Sequence, residues 1–549
     1  MMGSGPDTAV RPLTYGGDVR SSATIEARTT AGRVQGSWDH GIARFLGVPY
    51  AAAPVGPLRF SAPARPSPWS GTRPALTFGP TPPRPIAPDG AASPFDALLC
   101  GEPVAGDEWL NLNVWTPDPQ VKGMPVMVWI FGGAFITGAA AGSAYDGAAF
   151  ARDGIVCVTL NYRLGVEGFG YLPDAPVPAN RGLLDQVMAL EWVRENIASF
   201  GGDPGNITVF GESAGGISIL ALLSTGRDLF ARAIVQSGSA HIAQTTADAS
   251  LVASALAEHL GHRSPTCAYL QKVAPDVLAQ KYGEVHQRIV GSTDIDRYGE
   301  TTIQACGMTV MPIVDGDLLT KRPIDALSAG AGYDVPLVIG TTSEEFRLLL
   351  LQQSWADSSA DAALAKSRLT TYGAPSELYD AYARLPALPL DRRDVRSVFC
   401  AVMTDRLLRI PACRVAEARQ NAAPTYLYEL VRRSPVHYPH PSSDDAGYEL
   451  ALGAAHLTDI PFVWNSLDHP SAAPVVGQLP PQALADAMHR RWAEFATTGT
   501  VAGWECYDVR DRAVMTFTDG GTAERGLEHL VLDPRAAERR RWDGYLSAG

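Results

Sequence analysis

Short, almost wholly apolar runs recur along the chain, separated by longer stretches with helical periodicity. Residues 126–131, 156–161, 207–210, 233–236, 335–339 and 426–429 are the clearest runs. Unbroken apolar segments of this length read as strands buried on both faces. Residues 183–199, 217–223 and 482–498 carry helix-compatible patterns between them. Strands alternating with helices predict an α/β class, with a mixed, mostly parallel central sheet flanked by helices. Residues 250–334 and 348–423 are longer and less regular. They are expected to be insertions that cap the C-terminal edge of the sheet. The Pro-rich stretch 80–103 is expected to loop over the same rim. Residues 1–22 are rich in Gly, Ser and Thr and predict a loose tail, leaving 23–549 as one domain. No internal repeat stands out. No run of 18 apolar residues exists, so no membrane span is expected.

The turn after residues 207–210 changes this picture most. It reads Gly211-Glu212-Ser213-Ala214-Gly215 and leads into a helical run. Strand, Gly-x-Ser-x-Gly, helix is the nucleophile elbow of the α/β-hydrolase fold. A turn this tight requires nearly side-chain-free neighbours and leaves the serine hydroxyl exposed above the sheet edge. An acyl-transfer serine also requires N–H donors aimed at the developing oxyanion. The strand at 126–130 runs directly into Phe131-Gly132-Gly133-Ala134-Phe135. Gly133, Ala134 and Ala214 are the candidate donors, and Gly132 gives the loop room.

Further segments carry a resemblance to type-B carboxylesterases, the family that includes cholinesterases and bacterial para-nitrobenzyl esterases. Phe45-Leu46-Gly47-Val48-Pro49-Tyr50-Ala51 and Pro54-Val55-Gly56-Pro57-Leu58-Arg59-Phe60 resemble the family's opening hairpin region. Leu110-Asn111-Leu112-Asn113-Val114, Asn161-Tyr162-Arg163-Leu164-Gly165, Gly182-Leu183-Leu184-Asp185-Gln186 and Phe200-Gly201-Gly202-Asp203-Pro204 follow in the family's order. The similarity runs from about residue 24 to 545. It implies an α/β-hydrolase fold with a substrate gorge under the insertions, and a serine esterase.

In such enzymes the triad follows the order Ser, Asp/Glu, His. After Ser213 the acid candidates lie behind the strand at 335–339, in Gly340-Thr341-Thr342-Ser343-Glu344-Glu345-Phe346. The resemblance selects Glu345, leaving Glu344 as a solvated or structurally paired carboxylate. Of 11 histidines, His456 stands in Gly453-Ala454-Ala455-His456-Leu457-Thr458-Asp459, which resembles the family's catalytic-histidine loop. The family usually has Gly at Phe346, commonly Glu at Asp459, and His or Tyr at Phe131. Phe346 is expected to alter the pocket wall. Phe131 cannot donate a side-chain hydrogen bond, so packing and backbone bonds must hold the oxyanion loop. Ser237 resembles the serine that hydrogen-bonds near the triad. Glu212 is expected to fix the elbow by hydrogen bonding. His437 and His440, with Asp444 and Asp445 beyond, match no standard zinc spacing and are read as a rim loop, so no metal site is expected.

A net charge of −13 excludes nucleic acid as a natural partner. The basic run Arg539-Arg540-Arg541 reads as the solvated face of a terminal helix opened by Asp533 and Pro534. Seven cysteines cannot all pair. The resemblance places Trp109 where secreted relatives commonly carry the first bridge's cysteine, and it allows a bridge between Cys267 and Cys306. Residues 1–10 carry no apolar core of a secretory signal. Together these favour the cytoplasm, with a secreted mature form as the alternative.

The expected activity is hydrolysis of uncharged, fairly hydrophobic carboxylic esters through an acyl-enzyme on Ser213, with no cofactor. The same triad acting on carbamate, anilide or amide bonds is the alternative. A non-catalytic binding module, as neuroligins are, is the remote one; such modules typically lack a triad member. Acetylcholine is disfavoured because residues 78–107, which hold the family's choline-stacking tryptophan, contain none.

Overall fold

The computed structural model describes residues 23–86, 94–290, 295–299, 301–351, 353, 355–356, 360–385, 394–439, 449–520 and 526–546. In chain order its strands are β1 Thr24–Arg28, β2 Arg33–Asp39, β3 Ile42–Pro49, β4 Thr72–Pro74, β5 Asn111–Thr116, β6 Met124–Ile130, β7 Val156–Leu160 and β8 Gly202–Glu212. There follow β9 Arg232–Gln236, β10 Gln244–Thr245, β11 Ile313–Val314, β12 Leu337–Thr342, β13 Thr425–Leu430, β14 Ser434–Pro439, β15 Glu449–Gly453, β16 Ala513–Phe517 and β17 Glu528–Leu532.

One large sheet runs β1-β2-β3-β5-β7-β6-β8-β9-β12-β13-β16-β17, with β4 on β2. From β7 to β16 neighbouring strands are parallel. The flanks are antiparallel, except that β4 pairs β2 in parallel. Every residue of β7, β12 and β13 is buried, as expected of strands covered by helices on both faces. All six apolar runs are strands. The helices Arg181–Asn196, Ala214–Ser224 and Gln482–Thr498 pack among them.

The expected irregularity of 250–334 and 348–423 is corrected by the structure. Helices Thr246–His259, Pro275–Val290, Ala362–Thr371, Glu377–Ala383, Val395–Thr404 and Ile410–Ala418 run through both stretches. Several starts are marked by side-chain caps, with Thr245, Asp361 and Asp394 accepting from backbone N–H groups in the first turn. The second stretch builds a hydrophobic cluster of its own around Phe346, Tyr372, Tyr382, Phe399 and Trp542. The C-terminal segment also departs from expectation. Its helix is Ala536–Arg539, opened by Arg535 in the left-handed region (φ 58°). Asp533 instead accepts from Arg539 Nε and Nη2, both at 2.9 Å. Arg539 is buried, while Arg540 and Arg541 are exposed.

Two devices align the strand ends that carry the candidate chemistry. Beyond β7, Arg163 is fully buried against Asp185 of the helix Arg181–Asn196, with Nη2–Oδ1 at 2.7 Å and Nε–Oδ2 at 2.8 Å. An aromatic cluster joins β6, β8 and the segment after His456. Trp129 lies 4.8 Å from Phe210 and 5.3 Å from Trp464, ring centre to ring centre. Removing one partner of a buried ion pair strands the other charge. Asp185→Ala is thus expected to lower the unfolding free energy by about 3–5 kcal/mol, as read by denaturant titration.

Candidate active site

The elbow is a steric necessity here. Ser213 takes φ 56° and ψ −121°, a strained conformation at the junction of β8 and the helix Ala214–Ser224. Its N–H donates to Gln236 O at 2.9 Å, and its carbonyl accepts from Ile217 N–H at 2.8 Å. The turn lies so close over β6 that a Cβ at Gly215 would stand 1.9 Å from Ile130 O, and one at Gly211 2.6 Å from the same atom. Only glycine fits at either position.

The candidate oxyanion loop leaves β6 immediately beside the elbow. Gly133, Ala134 and Phe135 adopt φ of 113°, 53° and 62°. The loop closes through Ile136 and Thr137 N–H groups donating to Gly133 O, both at 3.0 Å. Among the described residues, no acceptor is paired with the N–H groups of Gly133, Ala134 or Ala214, so the fold leaves these three donors unspent. Ala214 is also the first residue of its helix, where the dipole favours negative charge. Phe131 is held as its chemistry required. Its ring stacks on Tyr162 at 4.4 Å and 21°, and its carbonyl accepts from Tyr162 Oη–H at 2.7 Å. Tyr162 is a site residue that sequence reasoning missed, although it stands in the Asn-Tyr-Arg motif.

Glu345 lies three residues beyond β12 and is 2% exposed. Ser237 Oγ–H and Thr342 N–H both donate to its Oε1, at 2.6 and 2.8 Å. This leaves Oε2 for His456 Nδ1, at 2.6 Å. His456 N–H also donates to Glu345 O at 3.2 Å. Glu344 is the paired carboxylate of the two, held by Arg347, Arg433 and the Ala454 N–H. Phe346 departs from its expected place in the pocket wall. It is buried and turned into the helical cluster, 5.6 Å from Phe399 and 5.7 Å from Tyr372 between ring centres.

Glu212 also differs from expectation. Neither carboxylate oxygen makes a hydrogen bond, so it does not fix the elbow that way. Its Oε1 instead lies 3.0 Å from His456 Nε2, outside hydrogen-bond alignment. A Cβ on Gly132 would meet Glu212 Oε2 at 2.7 Å, so the missing side chain there gives the carboxylate its room. No hydrogen bond joins Ser213 to His456 among the described residues, and the imidazole rests between two carboxylates. Asp459 sits behind this group, fully buried, accepting from Gln236 Nε2 at 2.9 Å and Tyr428 Oη at 2.8 Å. Gln236 and Tyr428 were not legible as site residues, because only the sheet brings β9 and β13 to one point.

The electrostatics follow from burial. Desolvation by itself lowers the basicity of His456, but the charges of Glu212 and Glu345 outweigh it and hold the imidazole well above its ordinary pKa. Burial pushes the Glu212 carboxyl up, and the imidazolium beside it offsets only part of that. Asp459 is likewise pushed up by burial. Elsewhere, His437 is exposed on β14, whereas His440, Asp444 and Asp445 lie outside the described residues. Cys267 and Cys306 are both free thiols, so the bridge allowed between them is not formed.

The profile of the carboxylesterase family matches residues 21–532. The chain belongs to the carboxylesterase family. It is 32% identical to the para-nitrobenzyl esterase of Bacillus subtilis (strain 168) over 525 residues, covering 93% of this chain and 97% of that one. It is 33% identical to a phenmedipham hydrolase of Pseudarthrobacter oxydans over 512 residues, covering 90% and 95%. Among solved structures, the Geobacillus stearothermophilus carboxylesterase EST55 at pH 6.2 superposes with a TM-score of 0.77 at 32% identity, over 94% of this chain and 99% of that one. The carboxylesterase is thus an α/β-hydrolase of the serine-esterase type. It acts on carboxylic esters, and its substrate is a small molecule. Among the described residues, no helix is long and apolar enough to cross a membrane.

A base must be neutral to accept a proton, so with His456 as the candidate base its raised pKa is expected to confine activity to higher pH. The acid limb of the kcat/KM profile is expected above the ordinary imidazole range. Glu212→Gln removes one of the two flanking charges and is expected to move that limb to lower pH, as read from pH-dependent p-nitrophenyl ester hydrolysis. Because Tyr162 already holds the candidate oxyanion loop, Phe131→His is expected to change turnover by less than about tenfold. A larger gain in steady-state kcat would mean that the native loop is poorly preorganised.

Proposed function

We propose that Ser213 is the nucleophile, His456 its general base and Glu345 the acid that orients the imidazole. The supporting observation is the 2.6 Å contact of His456 Nδ1 with Glu345 Oε2, whose other oxygen is spent on Ser237 and Thr342. That contact places the Nδ1 proton toward the carboxylate and leaves Nε2 to work on the serine. Nε2, which rests beside Glu212, closes on Ser213 Oγ as substrate fills the site; such contacts often tighten only in the complex. Ser213 Oγ attacks the ester carbonyl while His456 takes its proton. The N–H groups of Gly133, Ala134 and Ala214 stabilise the tetrahedral oxyanion. His456 then protonates the departing alcohol, and a water activated by the same imidazole releases the acid from the acyl-enzyme. No metal or organic cofactor enters this sequence. Ser237 aligns the acid, Gly132 gives clearance, and Glu212 sets the basicity of the imidazole.

The proposed substrate is an uncharged, fairly hydrophobic ester. Residues 23–549 are proposed to act as one catalytic domain, with the helices of 250–334 and 348–423 walling its gorge. The seven free cysteines suit a reducing compartment, which supports the cytoplasm. The same triad acting on carbamate, anilide or amide bonds is the alternative reading.

Purified protein is expected to hydrolyse p-nitrophenyl butyrate, and a folded Ser213→Ala variant to lose about 10⁴-fold or more in kcat. An inactive, well-folded parent would sink the general-esterase reading. Covalent labelling of Ser213 by an organophosphate would then separate a gorge that excludes this probe from a binding module.

A further inference from the structure

We propose that Glu344 is a positioning residue, whose carboxylate pins the loop carrying His456 against the loop carrying Glu345 and so sets the spacing of acid and base. The inference rests on the triad reading given above.

Beside the contact of His456 Nδ1 with Glu345 Oε2, further struts tie the two loops together among the described residues. Glu344 N–H donates to Ala454 O at 2.9 Å, and Ala454 N–H donates back to Glu344 Oε2 at 3.0 Å. His456 N–H donates to Glu345 O at 3.2 Å. The first two form a reciprocal pair between the residue before the acid and the residue two before the base. Of these further struts only the middle one depends on a side chain, and that side chain is firmly held. Its Oε1 accepts from Arg347 Nε at 2.8 Å and its Oε2 from Arg433 Nε at 2.7 Å. Arg347 in turn donates to Ser397 Oγ at 3.0 Å, which ties the carboxylate to the helix Val395–Thr404.

The backbone on the histidine side is shaped to receive this carboxylate. Gly453 adopts φ 62°, and a Cβ there would stand 2.5 Å from Glu344 Oε2 and 2.9 Å from Arg347 Cδ. The carboxylate therefore occupies the space that any side chain at 453 would need. Burial alone would raise its pKa, but the two guanidinium groups and the Ala454 N–H hold it near 2, so the clamp stays charged at every working pH.

In Glu344→Gln one neutral oxygen must serve the fully buried Ala454 N–H and both arginines, the amide NH2 faces a donor, and the two guanidinium groups lose this carboxylate. The histidine loop is then free to move away from Glu345. A misplacement of about 1 Å in a catalytic array can cost about 10²-fold in rate. This separates a positioning role from a merely structural ion pair. A structural pair changes only stability, whereas a positioning pair changes proton transfer and the basicity of the imidazole.

The test measures kcat, KM and the pH profile of kcat/KM with p-nitrophenyl butyrate, together with Tm, for the parent, Glu344→Gln, Gly453→Ala and Arg433→Gln. Glu344→Gln and Gly453→Ala disturb the same contact from opposite sides. Both are expected to lower kcat about 10- to 100-fold with KM within about threefold. In both, the acid limb is expected to move to lower pH, because a looser Glu345 contact stabilises the imidazolium less. Arg433→Gln removes one anchor at a half-exposed position. It carries the test if the other two fail to fold, with a smaller shift of the same sign. Parent-like kcat and an unmoved acid limb in a folded Glu344→Gln variant would overturn the proposal, whatever its Tm. The same result for Arg433→Gln would overturn it if only that variant folds. An active parent whose Ser213→Ala variant is dead confines such a failure to the role of Glu344. An inactive parent overturns the triad reading and this one together.

Discussion

The elbow rests on β6 with no space to spare, and the rest of the site is arranged around that contact. A methyl group at Gly215 would overlap the carbonyl of Ile130, the last residue of β6. The same strand end continues into the candidate oxyanion loop. One close approach therefore brings the proposed nucleophile and its oxyanion donors side by side, and it is possible only because β6 and β8 are parallel neighbours. Parallel pairing places both strand ends at the same edge of the sheet, and β12 delivers the loop of Glu345 there by the same logic. The strain at Ser213 is sustained because the turn is anchored on both sides, through Gln236 and Ile217.

The second constraint is electrostatic. Three buried carboxylates surround one imidazole, and the fold treats each differently. Glu345 receives two donors on one oxygen, which directs the other to the histidine. Asp459 receives two donors on one oxygen, the Gln236 amide and the Tyr428 hydroxyl, and its other oxygen is left without a hydrogen bond. Glu212 receives no donor on either oxygen, so its burial is compensated by the imidazole alone. Burial and neighbouring charge push Glu212 and Asp459 toward protonation, and the carboxylates beside the imidazole push it toward its charged form. The resting imidazole faces Glu212.

The departures from the family pattern are absorbed by packing. Phe131 exchanges a side-chain hydrogen bond for a stacked contact with Tyr162, whose hydroxyl then restrains the loop carbonyl. Phe346 anchors the Glu345 loop in the hydrophobic cluster of the helical insertion. Thr404 Oγ1 reinforces that anchor by accepting from the Phe346 N–H at 3.3 Å. The insertion is therefore bonded to the loop that carries the proposed acid.

The α/β class, the six buried strands, the elbow and the chain order of the candidates Ser213, Glu345 and His456 were all legible in the sequence. Each depends on local chemistry. Apolar runs of strand length, two glycines around a serine, and the spacing of motifs are all properties of a few adjacent residues. Choosing Glu345 over its neighbour required the family resemblance, since both glutamates satisfy the chain order. Relations between residues distant in the chain emerged only on folding. Gln236, Tyr428 and Asp459 meet because β9 and β13 flank β12. Glu212 faces His456, whose loop follows β15 of the separate β14-β15 sheet and is brought to the elbow only by folding. Asp533 pairs with Arg539 rather than capping a helix, because the arginine is buried and needs a counterion. The insertions are helical because their apolar faces find one another, a partner that periodicity within any single segment does not reveal.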